Sequence, residues 1–282
     1  MKWLAGLIAF AVLALACVAL LGWRFEIATR ERIAALQQSA ATTAQPVDLR
    51  DLDTLPAPVQ RYLRAVLRDG ALPARHARIA HAGDFLVSPP AGWARFASVE
   101  YFAASPPGFV WDARIDMAPM LPVKVRDAFV QGEGEMRAAV WGVLPVVNVA
   151  GTPDIAQGAL TRYLAEAPWF PVALLPGHGV QWTPLDEHSA RATLRAGSTT
   201  ATVDFFFGAD GLVERMYCAA RMRDVDGRGV PTPWQGRMRD YQWRGDGERQ
   251  MRVPGEGEVA WLLPAGEQVY WRGRVTAAAY TR

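Results

Sequence analysis

The sequence predicts an α+β fold: a large curved antiparallel sheet, half-barrel-like and of roughly eleven strands, with a lid helix and one N-terminal transmembrane helix. Three observations lead there. Trp3 to Trp23 is an uncharged apolar run, close to the roughly 20 residues that a spanning helix needs. Well beyond it, apolar residues recur mostly with period two, as half-buried strands require. Midway, a helical stripe and an apolar segment with three prolines interrupt the strands.

The run, residues 1–23, has Lys2 in front, a tryptophan at each end and Arg24 behind, which suits a signal-anchor with interfacial aromatics. A cleaved secretory signal is the competitor, but its apolar stretch covers only about 7–15 residues. Ala14-Leu15-Ala16-Cys17 loosely resembles a lipobox, yet Val18-Ala19-Leu20-Leu21 carries the helix past it. An uncleaved single-pass anchor in a cell envelope is expected, with the domain outside the cytoplasm. Arg24, Arg30 and Arg32 outnumber Lys2, and the positive-inside rule argues for the opposite orientation. Residues 24–54 read as a juxtamembrane helix and stalk. Arg24 to Leu36 can prolong the helix, and Gln37 to Asp53 loses its periodicity.

Residues 55–282 form one β-rich domain. Val59, Tyr62, Leu63, Val66 and Leu67 follow helical spacing, with prolines in the first turn and Gly70 as the stop, giving a helix near 56–69. Alternation then marks strands at Phe109–Met117, Ala190–Ala196, Thr199–Phe207, Val259–Leu263 and Val269–Ala277. Asp210-Gly211, Asp226-Gly227 and Asp246-Gly247 lie between such segments, and Asp-Gly is a hairpin signal. So many strands exceed a flat sheet, so the sheet should curl. Thr152-Pro153-Asp154 caps a second helix near 153–167, which runs into Pro168-Trp169-Phe170-Pro171 and on to Pro176. This helix and its sequel read as a lid.

Formal net charge is +2, and only Lys2 and Lys124 are lysine among 30 basic residues spread along the chain. Nucleic acid is excluded as a partner on that ground. Cys17 falls in the anchor, which leaves Cys218 as a buried hydrophobe without a disulfide partner. His76 and His81 are assigned to opposite faces of a strand, and there is no HExxH, CxxC, phosphate loop or dinucleotide fingerprint. No metal and no cofactor is expected.

Leu55-Pro56, Val59-Gln60-Arg61-Tyr62-Leu63, Gly151-Thr-Pro-Asp154, Arg162-Tyr-Leu-Ala-Glu166, Pro168-Trp169-Phe170-Pro171 and Gly179-Val180-Gln181-Trp182 together resemble an uncharacterised bacterial family of membrane-anchored β-rich domains. The resemblance covers most of the chain after the anchor and implies no activity. In architecture alone the chain is similar to periplasmic lipoprotein carriers, which implies an apolar cavity under helices.

These readings favour non-catalytic binding of an apolar or amphiphilic, lipid-like molecule at a bacterial inner membrane. The expected contacts are Trp111, Tyr163, Trp169, Phe170, Trp182 and Phe205, because aromatic rings give large contact area at low entropy cost. Arg162 and Glu166 would stand at the polar rim; the plainer reading is an exposed i, i+4 ion pair. A rival is an envelope hydrolase using Glu166 or Glu214. Glu214 shares parity with Leu212, Met216 and Cys218, although the Asp210-Gly211 turn beside it is wet. Asp112 and Asp116 read as a solvated face. A third reading is an interaction module of a membrane complex, marked by an exposed apolar patch.

Overall fold

The computed structural model describes residues 2–39, 47–71, 74–225 and 227–281; the side chains of residues 2, 4, 5, 8, 11, 14, 15 and 248 lie outside the described set. Three α-helices are present: α1 (Lys2–Ser39), α2 (Ala57–Val66) and α3 (Pro153–Glu166). Six strands precede α3: β1 (His76–Ser88), β2 (Gly92–Ala103), β3 (Gly108–Asp116), β4 (Pro122–Val130), β5 (Glu133–Val140) and β6 (Leu144–Ala150). Seven follow it: β7 (Gln181–Asp186), β8 (Ser189–Ala196), β9 (Thr199–Phe207), β10 (Val213–Val225), β11 (Arg228–Arg244), β12 (Met251–Leu263) and β13 (Gly266–Thr281).

All thirteen strands form one open antiparallel sheet in the order β6-β5-β4-β3-β2-β1-β13-β12-β11-β10-β9-β8-β7. Every neighbour is a hairpin partner except β1 and β13, which join the two halves in the middle. The edge strands β6 and β7 are exposed along nearly all their length, so no inside-outside alternation marks them. That is why the pattern of alternation undercounts the strands.

Topology dictates where α3 must go. β6 and β7 are the two edges, so the chain between them has to cross one face of the sheet. Thirteen strands laid flat at about 4.8 Å spacing would be far wider than a helix of this length. Yet α3 touches β3, β4 and β5 in one half and β8 to β11 in the other. The sheet must therefore wrap around it. The enclosed face holds the main core, including Phe102, Phe109, Trp111, Phe129, Tyr163, Trp169, Phe170, Phe205 and Trp234.

Three glycine contacts show how closely the enclosed face is packed. A Cβ on Gly134 of β5 would lie 2.7 Å from the backbone of Ala156 in α3. On the opposite wall Gly83, Gly273 and Gly257 stand side by side across β1, β13 and β12, and the rings of Trp169 and Trp271 lie 2.9 and 2.7 Å from the Cβ positions of Gly257 and Gly273. Gly255-Glu-Gly257 and Gly132-Glu-Gly134 thus belong to strands and a turn that make room for packing.

α1 is one continuous helix to Ser39, longer than the expected anchor plus extension to Leu36. Its C-terminal half lies on the outer face of the sheet. Leu36 packs with Ala103, Val110, Ala128 and Val130, and Thr29 Oγ1 accepts from Arg126 Nη1 at 2.9 Å. Lys124 pairs with Glu26, and Arg32 with Glu135 at 3.2 Å. The same helix shows Trp3, Leu7, Phe10, Val12, Leu13, Leu20, Leu21 and Trp23 to the outside. Among the described residues no helix is long and apolar enough to cross a membrane.

Other expectations change in detail. Residues 40–46 of the stalk lie outside the described residues, and Leu49–Thr54 forms a 3-10 helix. The helix near 56–69 stops at Val66, and the helix near 153–167 is α3. Residues 167–178 continue as short 3-10 turns pinned by Tyr280 Oη to the Trp169 carbonyl (3.1 Å) and Trp182 Nε1 to the Leu174 carbonyl (3.0 Å).

Gly134→Ala should cost about 1–3 kcal/mol, because the new methyl meets backbone that cannot yield without shifting α3. Thermal melts of the full chain in detergent check this; an unchanged midpoint would mean that α3 is loosely seated.

Candidate functional site

The site begins with a register. Glu100 of β2 stands opposite Trp111 of β3, and Trp111 opposite Asp127 of β4. The three side chains share one cross-strand row on the enclosed face, with the two acids roughly 10 Å apart at the backbone. Arg162 of α3 lies over the middle of this row, its guanidinium carbon 4.8 Å from the Trp111 ring centroid and 5.2 Å from that of Phe109. From there it reaches Asp127 Oδ2 at 2.7 Å, Glu166 Oε1 at 2.9 Å and Glu100 Oε1 at 3.4 Å.

The three acids are buried and the Arg162 side chain is nearly so. The i, i+4 pair expected from the sequence therefore exists, but inside the protein and neither exposed nor on an open rim. Burial opposes the Arg162 charge, yet Glu166, Glu100 and Asp127 outweigh it and hold the guanidinium firmly protonated. Glu100 is driven instead towards its neutral form. Burial, then the neighbouring Glu166, push its carboxyl well above the usual carboxylate range, and Arg162 only partly offsets them. Glu166 Oε2 has no hydrogen-bond donor among the described residues; a proton carried by Glu100 supplies one, since the two carboxyls are in hydrogen-bonding contact.

Next to this cluster lies a second set of buried polar atoms. His81 of β1 is opposite Ser98 of β2 and packs its ring against Trp169 (4.6 Å) and Trp271 (5.8 Å). Phe96 bridges Trp271 to Trp111, at 5.5 and 6.1 Å. Both nitrogens of His81, Ser98 Oγ and the indole Nε1 atoms of Trp111, Trp169 and Trp271 have no partner among the described residues. Burial, and then Arg162, lower the His81 pKa to about 3, so its ring is neutral at physiological pH. Among the described residues no group of three His, Cys, Asp or Glu side chains is placed to hold a metal ion.

The expected contact residues fall into three groups. Trp111, Arg162, Glu166 and Trp169 meet at this site. Tyr163 and Phe170 pack on Phe102 at 6.2 and 6.3 Å, with Tyr163 Oη donating to the Ala103 carbonyl at 2.9 Å. Trp182 and Phe205 form a separate edge-to-face pair at 5.2 Å. Of all these only Arg162 and Trp182 keep some exposure; the others are buried.

The three other acids singled out earlier are elsewhere. Glu214 is exposed, because a bulge between Val213 and Arg215 inserts one residue and reverses the parity. Asp116 pairs with Arg114 at 2.8 Å on the outer face, whereas Asp112 is half-buried, its carboxyl pushed up by burial and by Glu26 of α1. Asp127 is the residue that parity could have found, since it stands in the apolar register of Val123, Val125 and Phe129. Glu100 was not legible that way, because β2 carries apolar residues on both faces.

The curved sheet, its helical plug and the charged cluster between them define a half-barrel domain. The chain belongs to a family of unknown function, DUF6920, whose pattern matches residues 53–280. No curated protein matches the sequence. Among solved structures it is similar to a putative outer membrane lipoprotein-sorting protein domain from Vibrio parahaemolyticus, with 5% identity and a TM-score of 0.37, covering 73% of this chain and 85% of that one. A β-barrel-like DUF1849 protein from Brucella abortus is 10% identical with a TM-score of 0.28, covering 75% of this chain and 100% of that one. At these scores the likeness stops at the broad sheet architecture.

Arg162→Leu should cost about 3–5 kcal/mol, because it strands three buried carboxyls without their partner. Glu100→Gln should act with the opposite sign at neutral pH. A carboxyl whose folded pKa is raised binds its proton more tightly in the folded state, so stability falls as pH climbs from the unfolded value of about 4.5 towards the folded one. In chemical denaturation series of the full chain in detergent between pH 4 and 8, wild type should lose stability through that window and the Gln variant should lose less. For His81 the window is acidic: its contribution is full above about pH 6.5 and is lost as pH falls towards 3. His81→Leu should flatten that limb, and an unchanged acid limb would contradict the buried neutral ring.

Proposed function

We propose that this is a membrane-tethered, non-catalytic domain that holds an amphiphilic, lipid-like molecule against the enclosed face of its sheet. The observation that carries the reading is the gradient along that face. Where β1, β3 and β5 end, it presents half-buried Phe85, Val87, Met117 and Val140. Deeper in, it offers the unpartnered polar atoms of His81, Ser98, Trp111, Trp169 and Trp271. Each buried polar group without a partner costs on the order of 1–3 kcal/mol, and a single molecule with an apolar body and a polar head relieves several at once. Trp111, Arg162, Glu166 and Trp169 frame the head, while Tyr163, Phe170, Trp182 and Phe205 support the plug and wall behind it.

The tether is the uncharged stretch Trp3–Trp23, whose exposed side chains are apolar and stand clear of the domain. A bilayer is the environment in which such a surface is stable. The domain then sits on the periplasmic side of a bacterial inner membrane.

One observation favours hydrolysis as a second reading: Glu100 and Glu166 are paired acids, one with a raised pKa, as acid-base chemistry requires. Against it, Glu100 lies under α3, Glu166 is buried at the end of that helix, and the two share one arginine.

Native mass spectrometry of the detergent-solubilised full chain, followed by organic extraction, tests the binding reading. A stoichiometric lipid that is reduced several-fold by Ser98→Val supports it, with the melting midpoint as a check that the variant still folds. A clean apo mass contradicts it, and turnover of envelope lipids lost in Glu166→Gln would replace it with the hydrolase.

A further inference from the structure

Three candidates stand outside the site: the aromatic cage around Arg221, the buried Tyr62–Tyr241 pair, and the exposed apolar turns beside α1. The turns carry an inference furthest. Antiparallel alternation puts the β3–β4 turn (residues 117–121) and the β5–β6 turn (residues 141–143) at the same end of the sheet. Each presents large apolar side chains: Met120 is 90% exposed and Trp141 42%, with Leu121, Leu144 and Val146 exposed beside them.

The backbone at these two tips is costly. Met120 has φ of +60° and Trp141 of +55°, with Gly142 at +74°. Left-handed positions in hairpin turns favour Asn, Asp or Gly, and a bulky residue there is an outlier. The two turns are also tied together, by Trp141 Nε1 donating to the Met120 carbonyl at 2.8 Å. The turn conformation favours neither residue, Met120 points to solvent, and Trp141 stays 42% exposed while its indole ties the turns.

Their position does explain them. α1 passes this end as it leaves the domain, with the Trp141 carbonyl oxygen 3.0 Å from the Cβ position of Gly22, and Gly142 packed against Phe25 and Gly22. Trp23, the last residue of the uncharged run, therefore sits level with Trp141. Further along, the helix is fastened to the outer face through Glu26, Thr29 and Arg32, so its direction relative to the sheet is fixed.

We infer that the turns at residues 117–121 and 141–143, with the start of β6, form a docking surface that rests in the lipid headgroup layer of the membrane in which α1 is anchored. Trp141 serves as an interfacial aromatic alongside Trp23, and Met120, Leu121 and Leu144 enter the acyl boundary. The inference rests on the tether proposed above. It adds an orientation: the half-buried Phe85, Val87, Met117 and Val140 then face the bilayer, so an amphiphile can pass from membrane to enclosed face without crossing water.

The test uses the full chain with Cys17→Ser and Cys218→Ala, reconstituted in phosphatidylethanolamine/phosphatidylglycerol liposomes and spin-labelled at Leu144→Cys or, as the distal control, at Gln131→Cys in the β4–β5 turn. The ratio of collisions with lipid-soluble oxygen to those with a water-soluble nickel chelate should be several-fold higher at 144 than at 131. Adding Met120→Asn and Trp141→Asn, which suit the left-handed backbone but give up the indole hydrogen bond and so are checked for folding by the melting midpoint, should bring the ratio at 144 down towards that at 131. Equal ratios in a chain that stays in the liposomes through a carbonate wash overturn the docking surface and leave the tether standing. Release by carbonate overturns the tether and the docking with it. A label at 144 shielded from both quenchers overturns lipid as the occupant in favour of a protein.

Discussion

Arg162 is the contact on which the rest of the molecule depends. A chain that leaves a sheet by one edge and re-enters by the other has to cross the enclosed face, and nothing in an apolar core fixes how it crosses. The guanidinium does. Stacked on Trp111 and bonded to acids from two strands and its own helix, it sets the depth, rotation and register of α3 in a way that leucines alone would leave loose. The arrangement is costly in desolvation, and such buried charge is better at selecting one geometry than at adding stability. An excess of carboxyl over guanidinium remains, and it adds to burial, the larger cause, in making Glu100 hold its proton.

The two faces of the sheet then carry complementary duties. Inside, α3 and the turns after it fill the curl. Outside, the C-terminal half of α1 is clamped by a second set of charged contacts, Lys124–Glu26 and Arg126–Glu135–Arg32. Both clamps grip the same strands: Asp127 and Arg126 are adjacent in β4 and point to opposite faces. A single hairpin, β4–β5, therefore couples α1 on the outer face to the helix over the candidate site. The start of α1 and the turns beside Trp141, which together carry much of the exposed apolar surface, lie at one end of that hairpin.

Much of this architecture was legible in the sequence. Helical spacing found α2 and α3, the Asp-Gly pairs marked hairpins, and strand alternation implied a sheet too large to stay flat. Edge strands escaped because both of their faces meet water. Glu214 was misplaced because a one-residue bulge cannot be seen in a period-two pattern, and Arg162–Glu166 read as a surface pair because helical spacing shows which residues share a side and not what that side meets. The candidate site was legible by halves. The α3 residues and Trp111 stood out by type, but their partners Glu100, Asp127, His81 and Ser98 come from three strands, and only register brings them together.

Hydrogen-deuterium exchange of the full chain in lipid nanodiscs tests the central claim most directly, that α3 is a pinned part of the core and not a mobile lid. The account predicts that amides of Pro153–Glu166 exchange as slowly as those of β3 and β4, and that Arg162→Leu accelerates α3 first while β11 and β12 keep their protection. Exchange of α3 in the unaltered chain at the rate of the exposed turns would contradict it.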